Sequence, residues 1–250
     1  MKSSITFLSG LPRTGSTLLT SILSQNPAIH TEGNSALCQL MWDMQLSCLN
    51  TEQMQNKPEI ASSLICSIPE TFYAKAQGHI IDKCRSWTLP ANLDLIDRYI
   101  TKSPKIIVML RPIIDVVKSF VYIRTLNNWQ NPENGLLQEG SEPIMRSFEG
   151  VKNAKVNDRG QFLFIWYDDF IDNSKNTINE IYDFCGWKKF EHNFNNIINK
   201  NVEKDNFLGM LGLHDIRPEI SRRKFKVELS NELFEKAVFM DKQLLSIGLK

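Results

Sequence analysis

The stretch SGLPRTGSTLLTSILSQNP, Ser9 to Pro27, constrains the fold more than any other part of this chain. It follows a short apolar run, Ile5–Ser9, and enters an apolar helical pattern over Ser16–Gln25 that Asn26 and Pro27 close. A buried strand, a glycine-bearing turn and a helix start, in that order, build an anion nest. The glycines let backbone amides turn inward, and the first amides of a helix have no partner within it. The phosphate-cradling pattern G-x-x-x-x-G-K-[ST] requires a lysine after its second glycine. Gly10 and Gly15 keep that spacing, but Ser16 fills the lysine slot and a cation, Arg13, lies inside the loop. Arg13 is a permanent charge with a planar fork suited to oxyanions. The competing account is an ordinary strand–turn–helix connection with incidental polar residues.

Downstream, strands are expected at His79–Asp82, Lys105–Leu110 and Gln161–Trp166. Helices are expected at Ser35–Asn50, Glu59–Ala76, Asn92–Tyr99, Ile113–Leu126 and Thr177–Cys185, the last stopped by Gly186. A final helix is expected to start at Ser230, with Leu233, Ala237, Met240 and Leu244 on one face. Wholly apolar strands separated by helices imply an α/β fold, a parallel sheet flanked by helices in three layers. Ligands of such sheets bind beyond the carboxyl ends of the strands. That directs attention to Gly10–Thr17, Lys83–Trp87, Arg111–Ser119 and Tyr167–Asp169. The polar stretch Asn127–Pro143 reads as a long loop of the kind that often serves as a lid or binding loop.

Charge and composition narrow the function classes. With 29 basic and 28 acidic residues the net charge is +1, which gives no reason to expect a nucleic-acid coat or a basic membrane patch. No apolar run approaches the ~20 residues that span a bilayer. The first strand begins so early that neither a signal peptide nor a membrane anchor is expected ahead of it. The five cysteines lack any C-x-x-C and the four histidines are scattered, so reduced thiols and no metal site are expected. One domain over 1–250 and a cytoplasmic location, in a bacterium or a virus, complete this expectation.

The first loop, with its P-R-T-G-S-T-L-L core, resembles the 5′-phosphosulfate-binding loop of the sulfotransferases that use 3′-phosphoadenylyl sulfate (PAPS). It is closer to the P-R-[ST]-G-[ST]-T branches than to the cytosolic P-K-[ST]-G-T-T branch. The resemblance implies a P-loop NTPase-like sulfotransferase fold, with Arg13 as the loop cation and Thr14, Gly15, Ser16 and Thr17 wrapping the phosphosulfate. In IIVMLRPIIDVVKSF, Arg111 and Ser119 keep the spacing of the pair that holds the 3′-phosphate in that superfamily, although Pro112 comes one position early. FLFIWYDDF is similar to the family's strand–Y-E-D-L segment, which makes Tyr167 a candidate for packing against adenine; a core aromatic is the alternative. IIDKCRSW is similar to D-K-[TS]-P, which implies that Lys83 lies beside the sulfuryl group. The resemblance runs from about Ile5 to Trp187 and is weak beyond.

Sulfuryl transfer, like phosphoryl transfer, depends on positioning and charge stabilisation. Arg13 and Lys83 are the expected cations for the leaving 3′-phosphoadenosine 5′-phosphate (PAP), with no metal required. The acceptor needs a base. Aligned without gaps from Arg13, the catalytic glutamate of the tyrosine-sulfating relatives falls on Asn34, so Glu32, two positions away, is the first candidate and His30 the second. The cluster Arg217, Arg222, Arg223, Lys224 and Lys226 is either a solvated face or a cover over the 3′-phosphate. The acceptor, whether small molecule, carbohydrate or peptide, is not specified by the sequence, nor is the oligomeric state. Two other functions compete: a P-loop nucleotide kinase with Asp168 as its metal-side carboxylate, and a PAP-binding protein without catalysis.

Overall fold

In the computed structural model, which describes residues 4–201 and 203–249, strands and helices alternate along most of the chain. They are β1 (Ile5–Gly10), α1 (Ser16–Leu23), β2 (Ile29–Thr31), α2 (Leu37–Asn50), α3 (Glu52–Gln55), α4 (Pro58–Phe72), β3 (His79–Lys83) and α5 (Pro90–Tyr99). There follow β4 (Lys105–Leu110), α6 (Ile113–Leu126), α7 (Ile144–Val156), β5 (Phe162–Trp166), α8 (Tyr167–Asp172), α9 (Ser174–Cys185) and α10 (Asn231–Ser246). The strands form one sheet in the order β2-β3-β1-β4-β5, and each neighbouring pair is parallel. After β1 the chain goes to the sheet edge at β2, returns to β3 beside β1, and then crosses to β4 and β5 on the other side. The reversal lies at β1, so the crevice beyond its carboxyl end is the place where a ligand is expected.

Alternation along the strands explains the three layers. Phe7 of β1 and Ile106, Val108 and Leu110 of β4 face one core, against α2, α5, α6, α7 and α10. Leu8 of β1 and Ile107 and Met109 of β4 face the other, against α1, α8 and α9. Successive strand side chains point to opposite faces, so strands covered on both sides must be apolar throughout. The two clearest helices, α6 and α10, lie against each other, and Asp241 of α10 accepts from the Ile113 and Ile114 amides at 2.6 and 3.3 Å. The carboxylate thereby caps the helix that carries Ser119. Ser230 caps α10 in turn, as expected, by accepting from Leu233 N.

Four elements, β2, α3, α7 and α8, lie outside the sequence expectations. β2 has three residues, too few to show a period. α7 follows Pro143 and carries Gly150 in its middle, a weak helix former. The glycine is there for contact: a Cβ at 150 would come within 2.6 Å of Thr88 Oγ1 in the turn Arg85–Thr88. The loop 127–143 is pinned rather than free. Arg124 donates to the carbonyls of Pro132 and Asn134 at 3.1 and 2.9 Å, and Glu133 accepts from the backbone and hydroxyl of Ser230. Between Trp187 and Ser230 the described residues form only the short turn Asp205–Leu208 and no longer helix or strand. This segment runs back over the carboxyl edge of the sheet, bonding α1 through Asn199, β2 through Asn201 and β3 through Glu203.

Candidate active site

The site is built outward from the β1–α1 loop. Gly10 has φ 118, and a Cβ there would stand 2.2 Å from the Met109 carbonyl of the neighbouring strand. Gly15 has φ 80 and serves as the N-cap of α1 without any side-chain cap. Arg13 also adopts a left-handed backbone, φ 60, which disfavours a branched residue and is found mostly where surrounding structure enforces it. The effect is a tight curl around uncapped helix amides. Thr14 is fully buried and its hydroxyl donates to the Leu11 carbonyl at 2.9 Å, so it braces the loop and only its amide is left to face a ligand. Thr17 accepts from Lys83 Nζ at 3.4 Å.

Lys83 reaches this point because β3 lies beside β1, with Lys83 in register with Leu8. Its neighbour Asp82 anchors the strand end. Asp82 is fully buried and accepts from Ser35 Oγ at 2.6 Å, Tyr73 OH at 2.7 Å and Trp87 Nε1 at 2.6 Å. Burial pushes its pKa up, and those three donors offset part of the shift. Lys83 is itself buried, which lowers its pKa; the ion pair it makes with Glu203 Oε1 at 2.7 Å opposes that.

On the other side of β1, Arg111 follows β4. Its Nη1 donates to the Arg13 carbonyl at 3.0 Å and its Nη2 to the Arg223 carbonyl at 3.4 Å. Its guanidinium lies 4.3 Å from the Tyr167 ring centroid. Its Nε is buried and has no hydrogen-bond partner among the described residues. Arg13 Nε donates to Ser119 Oγ at 3.0 Å, and its Nη1 donates to the Leu213 carbonyl. Burial, together with the nearby charges of Arg223 and Arg111, pushes the Arg13 pKa down to about 10. A cation so crowded by its own kind is stabilised by an anion placed among them.

These residues share one cavity of about 360 Å³. Arg13, Gly15, Ser16, Thr17, Lys83, Arg111, Ser119 and Tyr167 all line it. Seven cationic side chains line it against three carboxylates, in a chain whose net charge is +1. The basic segment contributes to this wall: Arg217 and Arg223 line the cavity, whereas Arg222 is paired with Asp168 at 3.1 Å and Asp172 at 2.5 Å. Tyr167 is buried between Gly15 and Arg111, so its ring face toward the cation is already engaged.

Glu32 is placed apart. It bonds His30 Nε2 at 3.2 Å, its side chain is 44% exposed, and neither residue lines the cavity, although Asn34 does. The carboxylate next to Lys83 is Glu203, from a segment where sequence reasoning named only the basic cluster from Arg217 to Lys226 and the helix start at Ser230. Asn34 Nδ2 donates to Glu203 Oε2 at 2.5 Å, His214 Nε2 lies 3.3 Å from the same oxygen, and His214 Nδ1 pairs with Asp205. No motif or period marks Glu203, Asp205 or His214 in the sequence. Among the described residues, no group of three His, Cys, Asp or Glu side chains has the arrangement of a metal site.

A family model described as "Sulfotransferase family" matches residues 6–192. No curated protein matches the chain. Among solved structures, the sulfotransferase domain of the Synechococcus PCC 7002 olefin synthase is 20% identical, with a TM-score of 0.62, covering 97% of this chain and 94% of that one. The sulfotransferase domain of the curacin biosynthetic pathway is 15% identical, with a TM-score of 0.62 and 98% of each chain covered. Retinol dehydratase in complex with androsterone and the inactive cofactor PAP is 19% identical, with a TM-score of 0.50, covering 96% of this chain and 80% of that one. Their likeness shows that the five-stranded parallel sheet and its flanking helices have the P-loop-like architecture expected from the first loop.

Proposed function

The chain belongs to the sulfotransferase family, and we propose that it transfers a sulfuryl group from PAPS to a hydroxyl or amine acceptor and releases PAP. The observation that carries this reading is a pair of donor-rich, cationic positions at the carboxyl end of β1, each suited to an anion. One is the β1–α1 curl with its uncapped amides and Lys83. The other is formed by Arg111, whose buried Nε has no partner among the described residues, together with Ser119. A donor with a phosphosulfate at one end and a 3′-phosphate at the other needs two such positions, and PAP is held by the retinol dehydratase of similar fold.

When bound, PAPS would supply the sulfuryl group and its phosphate leaving group. The protein's residues then have separable tasks. The amides from Thr14 to Thr17 orient the phosphosulfate. Lys83 and Arg13 neutralise the charge that grows on the departing phosphate oxygen. Thr17 Oγ1, within reach of Lys83, offers a hydroxyl to a sulfuryl oxygen. Such preorganised donors, held away from bulk water, account for much of the catalysis in group transfer of this kind. Arg111 fixes the other end of the donor, and the Tyr167 ring packed against its guanidinium holds it in place. The acceptor, whether small molecule, carbohydrate or peptide, would approach from the side of Leu208, Met210 and Leu213, which line the same cavity. No helix among the described residues is long and apolar enough to cross a membrane.

A kinase reading draws nothing from the geometry, because Asp168 is tied to Arg222 and does not line the cavity. Calorimetry with PAP, ADP and ATP–magnesium tests the proposal, followed by transfer from labelled PAPS to an acceptor panel. PAP is expected to bind far more tightly than ADP, by the contribution of the 3′-phosphate. Binding of ATP–magnesium without PAP would reject the reading.

A further inference from the structure

We infer that Glu203 is the base that takes the proton from the acceptor, and that its ion pair with Lys83 masks it until the donor binds. The inference rests on the donor reading above. Three residues of the cavity wall converge on this one carboxylate. Lys83 Nζ is 2.7 Å from Oε1, while Asn34 Nδ2 and His214 Nε2 lie 2.5 and 3.3 Å from Oε2. Its side chain is only 10% exposed, on a segment with no helix or strand to hold it, so these contacts set its place. The position is telling. Lys83 is also 3.4 Å from Thr17 Oγ1 in the phosphosulfate loop, which puts the carboxylate within one side chain of the site of transfer. Asn34, which lines the cavity, has no charge of its own and bonds this carboxylate. Gly33 makes room for it, since a Cβ there would lie 3.0 Å from Glu203 Cγ.

The masking follows from geometry: Lys83 Nζ occupies Oε1 at 2.7 Å, so that oxygen cannot take a proton from an acceptor until the ammonium moves away. Lys83 has two anions within its reach: Glu203 now, and the leaving phosphate when the donor is present. Glu203 does not itself line the cavity but lies directly behind Lys83, Asn34 and His214, which do; as Lys83 turns to the phosphate, Oε1 is opened toward the acceptor. The acceptor O–H bond then breaks toward Glu203 as its oxygen forms the bond to sulfur. The sulfur–oxygen bond to the phosphate breaks, and its electron pair stays on PAP beside Lys83. His214, held by Asp205, stands next to Glu203 as the neighbouring group that can share the proton.

The test is Glu203→Gln, which keeps the shape and most of the hydrogen bonds. PAP affinity is read by calorimetry, and turnover is read as PAP released from PAPS, with water and a series of phenols of graded acidity as acceptors. PAP is expected to bind as tightly as to the wild type, or more tightly, because Lys83 has lost its competitor. Turnover is expected to fall ~100-fold or more, the usual contribution of a general base. The loss should shrink as the phenol becomes more acidic, a trend that a merely structural role would not produce. Turnover within about threefold of the wild type, or a uniform loss across the phenols, would overturn the inference while leaving the donor reading intact. A tenfold loss of PAP affinity would also overturn it, by making Glu203 a structural clamp on Lys83. A wild-type protein that binds PAP but turns over PAPS with none of these acceptors counts against it too. Failure of the wild type to bind PAP would instead remove the donor reading on which it rests.

Discussion

The β1–α1 loop and the covering segment from Glu203 to Ser230 face each other across one cavity, yet they are held by different means. The loop is shaped from within. Gly10, Arg13 and Gly15 take left-handed backbone angles, Thr14 ties the turn, and a parallel strand on each side leaves it no freedom. The cover has a 3₁₀ turn and little else of its own. It is held by what it touches: Leu213 and Arg223 carbonyls on two arginines, Glu203 on Lys83, Arg222 on two aspartates. A rigid cradle suits a donor whose phosphates must be placed accurately. A segment fixed by side-chain contacts suits the acceptor side, where those contacts must be exchanged as substrates come and go.

Substituting one glycine in each region tests that difference, and the loop member should show the largest effect of all. Gly10→Ala places a Cβ 2.2 Å from a backbone carbonyl that belongs to β4 and cannot retreat. Denaturant unfolding should record a loss on the order of 3 kcal/mol or more, or no folded protein. Gly209→Ala in the cover meets only the Trp129 ring at 3.9 Å, so it should lose only the ~1 kcal/mol of an alanine at positive φ. Equal losses would show that the cover is as tightly built as the loop.

Arginine substitutions give the next largest contrast. Arg111→Ala removes a buried fork that also stacks on Tyr167, and calorimetry should show PAP affinity falling ~10- to 100-fold, as for charged hydrogen bonds. Arg111→Lys should recover little, because an ammonium has neither the fork nor the stacking face. Arg223→Ala should weaken PAP by less than about tenfold, since Arg223 gives Arg111 its main-chain carbonyl and directs its own side chain to the Asp215 carbonyl. Smaller still, Arg222→Ala breaks two partly exposed pairs to Asp168 and Asp172, and thermal denaturation should register about 1 kcal/mol or less, shrinking as salt is added.

The same division explains what the sequence could and could not reveal. The loop is legible because every feature that shapes it is local: a strand, two glycines at fixed spacing, an arginine and a helix start within a dozen residues. Arg111 and Ser119 are legible for a related reason, since strand β4 and helix α6 fix their separation whatever the rest of the chain does. Lys83 is found at the end of a strand. Nothing local announces Glu203 or His214. Their partners Lys83, Asn34 and Asp205 are chosen by how an irregular segment drapes across the sheet, and Glu203 lies 120 positions from Lys83. β2 escaped notice because three residues carry no period, and α7 because Gly150, needed for contact with Thr88, interrupts its pattern.

Glu32 is where reasoning from local sequence and the folded geometry part, and its substitution should have the smallest effect. The expectation for Glu32 rested on its nearness in sequence to Asn34. In the fold, two positions are enough to turn a side chain away: β2 ends at Thr31, Glu32 leans back on His30 of that strand, and Asn34 turns into the cavity. Its carboxylate is 44% exposed and bonds an imidazole that does not line the cavity, whereas Glu203, also outside the lining, is bonded by three residues that do line it. Glu32→Gln should therefore leave PAP affinity unchanged and turnover within about threefold of the wild type. The comparison with Glu203→Gln is the informative one, because the two variants remove the same charge by the same isosteric change on opposite sides of Asn34. Should Glu32→Gln abolish turnover while Glu203→Gln spares it, the base would belong to the locally legible half of the site, and the covering segment would be left with a structural role alone.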